Sequence, residues 1–357
     1  MRISKFEAGD AAAPDAQDAT GPNRRDFMKT AALGAAAGGA AFVAGDGGEQ
    51  VAQAQTSTEP WWPSRWGEGD QAGSSNWMTP KKTLEAVSMI KEGKVYKIGR
   101  VYESGMPLFG ARSFAVRIPG GPTGGPFGQN ALIYNDEFLA TEIGQVGTQF
   151  DGLGHIGIST GDPANKSEHR YYNGFDGNEV QGAYGLAKLG VEHCKPFFTP
   201  AHLIDINGLK GMQDAGYEIT MDDVSAALAK QGMSEGDIKS GDGIFFNTGW
   251  GSLWMKNNDR YNAGCPGIGM EVGQWLVDKE VSITGADTWP TEVVPNPDPN
   301  QAFPVHNLLI TKAGIFNHEN LTFDALIADG KYRFVYIFAP TPVKGATGSA
   351  GSPIAVT

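Results

Sequence analysis

The chain has 357 residues, 28 Lys+Arg against 40 Asp+Glu, and a formal net charge of −12. That length can bury a sizeable core. The acidic balance, with no run of basic residues, argues against nucleic acid or an anionic membrane as a partner.

Residues 1–54 read as an export leader, and residues 55–357 as the domain. Asn23-Arg24-Arg25-Asp26-Phe27-Met28-Lys29 resembles a twin-arginine motif and precedes an Ala/Gly-rich stretch, Thr30 to Gly45. At 16 residues the stretch is shorter than the roughly 20 needed to span a bilayer. Ala52-Gln53-Ala54 supplies small residues for cleavage. The expected location is the periplasm, with the twin-arginine machinery as a transient partner. The leader holds 5 basic and 7 acidic residues, so the mature charge is about −10. Cys194 and Cys265 are the only cysteines and no CxxC spacing exists. Export in the folded state favours two free, buried thiols over a disulfide.

Residues 55–78, rich in Trp and Gly, read as an extended leading segment. Thr79-Pro80 marks an N-cap and first helical position, and Leu84, Val87 and Ile90 form an apolar stripe ending at Gly93. Gly120 to Gly125 reads as a loop. A strand is expected at Ala131–Tyr134. Gln145 to Asp151 alternates as a strand would, placing Gln145, Gly147, Gln149 and Asp151 on one face, with His155 just beyond. Further strands are expected at Leu203–Ile206, Ile244–Asn247, Val281–Thr284 and Tyr332–Phe338. Thr220 with Asp223 opens a second helix that Gly232 closes, Met270 to Lys279 forms a third, and the apolar run Leu308-Leu309-Ile310 is ambiguous between strand and helix, with helix favoured. Strands outnumber helices without a strict βαβ rhythm. The fold class is therefore α/β or α+β, a single domain with a mixed sheet flanked by helices.

No GxSxG, HExxH, Walker A or strand-borne GxGxxG motif occurs. Only six histidines are present, so their positions carry information. His155 closes the Gln145–His155 motif. His306 and Glu319 lie in two later segments, and His169, His193 and His202 form no ligand pattern. Two amide oxygens, a carboxylate and an imidazole in the motif are a set able to hold a cation. Trp61, Trp62, Trp66, Phe109, Phe114, Tyr171 and Tyr172 are candidate pocket walls or simply core.

In these segments the chain resembles the metal-dependent cyclase/hydrolase family that includes bacterial kynurenine formamidase and isatin hydrolase. The family signature is His-x-Gly-Thr-His-x-Asp-x-Pro-x-His, and Gly147, Thr148, Asp151 and His155 stand in register with it. Thr248-Gly249-Trp250, Pro266-Gly267-Ile268, Gly285-Ala286-Asp287-Thr288, Glu319-Asn320-Leu321 and Gly351-Ser352-Pro353 match later landmarks, so the resemblance runs from about Trp66 to the C-terminus. It departs at Gln145 and Gln149, where the family has histidine, and at Leu153, where it has proline.

The resemblance implies a swivelling β/β/α fold and a divalent metal held by Asp151, His306 and Glu319. Gln145 and Gln149 are further ligands or hydrogen-bonding scaffold. His155 is the implied general base or acid. Replacing imidazole by amide oxygen tilts the site from zinc towards manganese. The expected function is metal-dependent hydrolysis of an amide or cyclic amide C–N bond in a small molecule. The alternatives are lactone hydrolysis, a cyclase or dehydratase step, and a non-catalytic periplasmic binding protein. A homo-oligomer is expected by the same resemblance.

Overall fold

The structure is a computed structural model that describes residues 60–357, all within one unit, Gln53–Thr357. The expected leader, residues 1–54, lies outside the described residues. Among those described, no helix is long and apolar enough to cross a membrane.

Nine strands form one curled, mixed sheet. In chain order they are β1 (Val95–Lys97), β2 (Gln149–Asp151), β3 (Phe197–Asp205), β4 (Gly243–Asn247), β5 (Ile283–Ala286), β6 (Phe316–His318), β7 (Arg333–Phe338), β8 (Gly348–Ala350) and β9 (Ile354–Val356). Their spatial order is β1-β9-β7-β3-β4-β5-β6-β2-β8. The central run β3-β4-β5-β6 is parallel, and every other pairing is antiparallel. Alternation along β4 sends Phe245 to one face and Ile244 and Phe246 to the other, and each face has its own core. Phe150, Phe197, Phe316, Tyr336 and Phe338 fill the first. Helices α2 (Met221–Lys230) and α3 (Met270–Asp278) cover the second through Val224, Leu228, Val272 and Leu276.

Both helices start and stop within a residue of their sequence signals. Thr220 and Asp223 form a reciprocal capping box. Thr79 caps α1 (Pro80–Met89) by accepting from the Lys82 N–H. The apolar stripe of α1 needs correction, because Leu84 is 68% and Val87 47% exposed. The helix instead packs through Ala86 against Val335 and Val356. Lys82 reaches a buried Asp242 at 2.8 Å, and Asp242 also meets His202 at 3.0 Å. That buried trio fixes α1 to the sheet and explains His202 structurally.

Two other expectations shift. The strand expected from Gln145 covers only Gln149–Asp151, because Gly147 turns the chain at φ +60°. A Cβ there would collide with the Tyr102 ring, so glycine is required. Gly120 to Gly125 is not all loop: Gly124–Phe127 pairs with Leu132–Tyr134, and Phe114–Arg117 pairs with Phe138–Thr141. These two ribbons form an arm outside the main sheet. The helical reading of Leu308-Leu309-Ile310 holds in a short turn, Pro304–His306, that runs into a π-helical stretch, Asn307–Ala313. Both cysteines are free; Cys265 is buried and Cys194 half-buried.

Candidate metal centre

Strand β2 lies between β6 and β8, and its alternation aims Phe150 into the core and Gln149 and Asp151 the other way. Asn317 of β6 sits directly across from Asp151, while His318 pairs with Phe150 on the core side. The chain then turns, and the Glu319 N–H donates to the Gln149 carbonyl at 2.9 Å. This bond sets Glu319 beside β2. His306 enters from the helical turn that follows Phe303, a residue at φ +51°.

Three side chains from these places converge. One ligand atom from each of Asp151, His306 and Glu319 lies within 4.8 Å of the other two, and all three residues are buried. His306 Nε2 is 3.2 Å from Glu319 Oε1 and 3.8 Å from Asp151 Oδ2. Gln149 joins them through its amide nitrogen, which donates to Glu319 Oε2 at 2.7 Å and faces Asp151 Oδ1 at 3.4 Å. Gln145 stands apart: its amide meets Arg112 and Thr347, each at 3.4 Å. His155 Nε2 is 3.9 Å from Asp151 Oδ1 at the rim.

Two residues absent from the sequence reading complete the surroundings. Glu292, buried, accepts from the backbone N–H groups of Val305 and His306 and holds His306 Nδ1 at 2.5 Å. Its charge thus caps the helical turn and fixes the imidazole with Nε2 towards the carboxylates. Asn317 Nδ2 donates to Glu319 Oε1 at 2.6 Å and Asp151 Oδ2 at 3.3 Å, and its carbonyl accepts from Thr291.

Burial and the neighbouring Asp151 push the Glu319 carboxyl up to about 8. Burial opposes charge on His306, but hydrogen bonds to Glu292 and Glu319 outweigh it and hold the imidazole well above its ordinary value. Carboxylates this deep require a counter-charge. Two carboxylates and an imidazole oriented by a third carboxylate are a donor set that fits a divalent cation.

His306 and Glu319 line a cavity of about 210 Å³ with Phe109, Arg112, Gln149, His155, Trp289 and Phe303 among others, and the fully buried Asp151 stands beside them. His155 keeps 21% of its side chain exposed. Burial lowers its pKa against the opposing pull of Asp151, so the ring is neutral at neutral pH. Of the aromatic residues expected as pocket walls, only Phe109 serves here. Trp61, Trp66 and Tyr172 line a separate cleft with Arg65 and Trp77. Trp62 packs on Gly174, Tyr171 on Gly157, and Phe114 beside a second cluster around Trp250. Neither His169 nor His193 reaches the cavity, and His318 points into the core, where its Nδ1 meets the Tyr336 hydroxyl at 2.6 Å.

Comparison with known proteins follows the same lines. A crystal structure of a novel cyclase superposes with a TM-score of 0.70 at 28% identity, over 82% of this chain and 98% of that one. Isatin hydrolase A from Ralstonia solanacearum shares the fold at TM-score 0.54 and 19% identity, over 78% of this chain and 97% of its own. An isatin hydrolase bound to the product analogue thioisatinate gives 0.52 and 21%, over 78% and 99%. No curated protein matches the chain. The family model described as "Putative cyclase" matches residues 62–293. With two thirds of its length under that model and a sheet that superposes on a cyclase, the chain belongs to the cyclase family.

Proposed function

We propose that the protein hydrolyses a carbon–nitrogen bond in an amide or cyclic amide of a small molecule, using a divalent cation held by Asp151, His306 and Glu319. The observation that carries this reading is the convergence of those three buried side chains, two of which line a cavity that also holds His155. When bound, the cation supplies Lewis acidity, acidifying a water and polarising an acyl oxygen.

The chain's own residues do the rest. Glu292 orients His306 through Nδ1, and Asn317 and Gln149 hold the two carboxylates in place by donating to them. His155, uncharged and beside the cavity, takes the proton from the attacking water at Nε2 and returns it to the departing nitrogen. Phe109, Trp289 and Phe303 keep the acyl group in an apolar surround. Two carboxylates against one imidazole favour manganese over zinc. Together with the leader expected at residues 1–54, the proposal describes a periplasmic enzyme.

Elemental analysis of purified protein, paired with a screen of formamides, cyclic amides and lactones, tests the reading. The expected result is one transition metal per chain and turnover of an amide that chelation abolishes. Replacing His155 by Ala should lower kcat about 10²- to 10⁴-fold with the metal retained. Amide hydrolysis that survives complete chelation would reject the mechanism. Turnover of lactones alone would reject the substrate class.

A further inference from the structure

Arg112 is a cation at the cavity wall that no feature of the proposed mechanism uses. Among the described residues lining that cavity it is the only Lys or Arg. Its guanidinium has five N–H donors. Its hydrogen bond to Gln145 Oε1 is long, at 3.4 Å. The group lies over the Phe109 ring, 5.5 Å from the centroid. No carboxylate among the described residues comes within 4 Å of it. Glu142 feels its field, but the Glu142 carboxylate is taken by the Ser113 N–H at 2.8 Å. A half-buried arginine without an ion-pair partner in an acidic protein is an available anion receptor, because its planar fork matches a carboxylate with two parallel bonds.

The walls around it narrow the ligand further. Phe109 and Trp289 stack on each other, centroids 4.5 Å apart with an interplanar angle of 18°, and both rings contribute apolar lining. Phe303 stands edge-on to both Trp289 and His306 and closes the end beside the triad. The cavity thus brings together Glu319 and His306, three aromatic rings and one cation. Arg112 offers an anionic substituent a charge partner beside Phe109, which leaves the amide end of the molecule for Asp151, His306 and Glu319.

We propose that Arg112 is a specificity-determining residue that receives a carboxylate on the substrate, so that the preferred substrate is a flat amide bearing an anionic group. This inference rests on the proposed hydrolase reading, but one arm of its test does not. The probes are formanilide and 4-formamidobenzoate, which differ only by a carboxylate, and benzoate as a simple ligand. Wild-type enzyme should favour the carboxylate-bearing amide. In Arg112→Gln the ratio of kcat/KM for the anionic over the neutral amide should fall at least tenfold, mostly through KM, and Arg112→Lys should recover part of it. A ratio that stays constant while both substrates lose kcat would overturn the proposal and place Arg112 at the reacting oxygen. Benzoate binding, followed by tryptophan fluorescence in chelated protein, is independent of turnover. It should weaken at least tenfold in Arg112→Gln; equal binding to both proteins, or none to wild type, would also overturn the assignment. Should wild type cleave no formamide or cyclic amide while benzoate binding depends on Arg112, the hydrolase reading fails and the anion site stands.

Discussion

At the scale of single residues, Glu292 decides how the candidate centre is oriented. It makes three contacts with the Val305-His306 segment and leaves His306 one free ring nitrogen, the one facing Asp151 and Glu319. Glu292→Gln keeps the shape and can still accept from a backbone N–H, but it removes the charge opposite the imidazole. The expected outcome is a 10- to 100-fold loss of metal affinity with a native fold, measured by competition against a chromophoric chelator. Unchanged affinity would mean that the position of His306 depends on packing against Phe303 alone. Asp151, His306 and Glu319 were all legible in the sequence through motif register, but Glu292 was not. It stands in a loop with no periodicity, and its role exists only once residues 292 and 306 meet in space. Asn317 was within reach. It is two residues before Glu319, the spacing that puts side chains of an extended segment on one face. Gln145 shows the opposite failure, since a single left-handed turn at Gly147 breaks the alternation that seemed to bring it to the site.

At the scale of elements, legibility follows how local the cause is. Helices α2 and α3 were readable because capping and spacing act within a few residues. Strand β3 runs from Phe197, six residues before the expected start, through Pro200, a residue that marks a break in most strands. Its extent is set by β7 and β4 on either side, which no local signal reveals. The arm of residues 114–141 is the largest element whose form the sequence hid. It is two ribbons of two strands each, and such ribbons are marginal by themselves. Val116, Ile118, Phe127, Leu132, Ile133, Tyr134, Phe138 and Leu139 are each more than 40% exposed on it. Only Arg117, Asp136 and Glu137 carry charge there, in a protein otherwise strongly acidic. A nearly neutral, apolar arm suits a second copy of itself about a two-fold axis. The expected state is a dimer at micromolar concentration by light scattering. The double variant Phe127→Glu, Ile133→Glu should be a monomer with unchanged circular dichroism. A monomeric wild type would sink this expectation.

At the scale of the whole molecule, the two faces of the sheet divide labour, and His318 marks the boundary. It neighbours Glu319 in sequence, yet its ring lies among Phe150, Tyr336 and Phe338 on the core side. Burial pushes its pKa down to about 3. The folded protein therefore keeps His318 neutral where an unfolded chain, with an ordinary value near 6.5, takes up a proton. Above pH 6.5 neither state is protonated there and the residue has no effect on the pH dependence. As pH falls below 6.5 the unfolded state binds the proton and the folded state does not, so stability drops by about 1.4 kcal/mol per pH unit until the folded pKa is reached. Between pH 7.5 and 5.0 His318 should thus cost about 2 kcal/mol. Urea unfolding at both pH values, with chelator present throughout so that metal binding does not contribute, measures the slope. His318→Gln removes the titration while keeping a hydrogen-bonding side chain opposite Tyr336. Its stability should change less with pH than wild type by that same amount, whatever its absolute value. Identical slopes would mean that water reaches the ring in the folded state and that the two faces of the sheet are less separate than their cores imply.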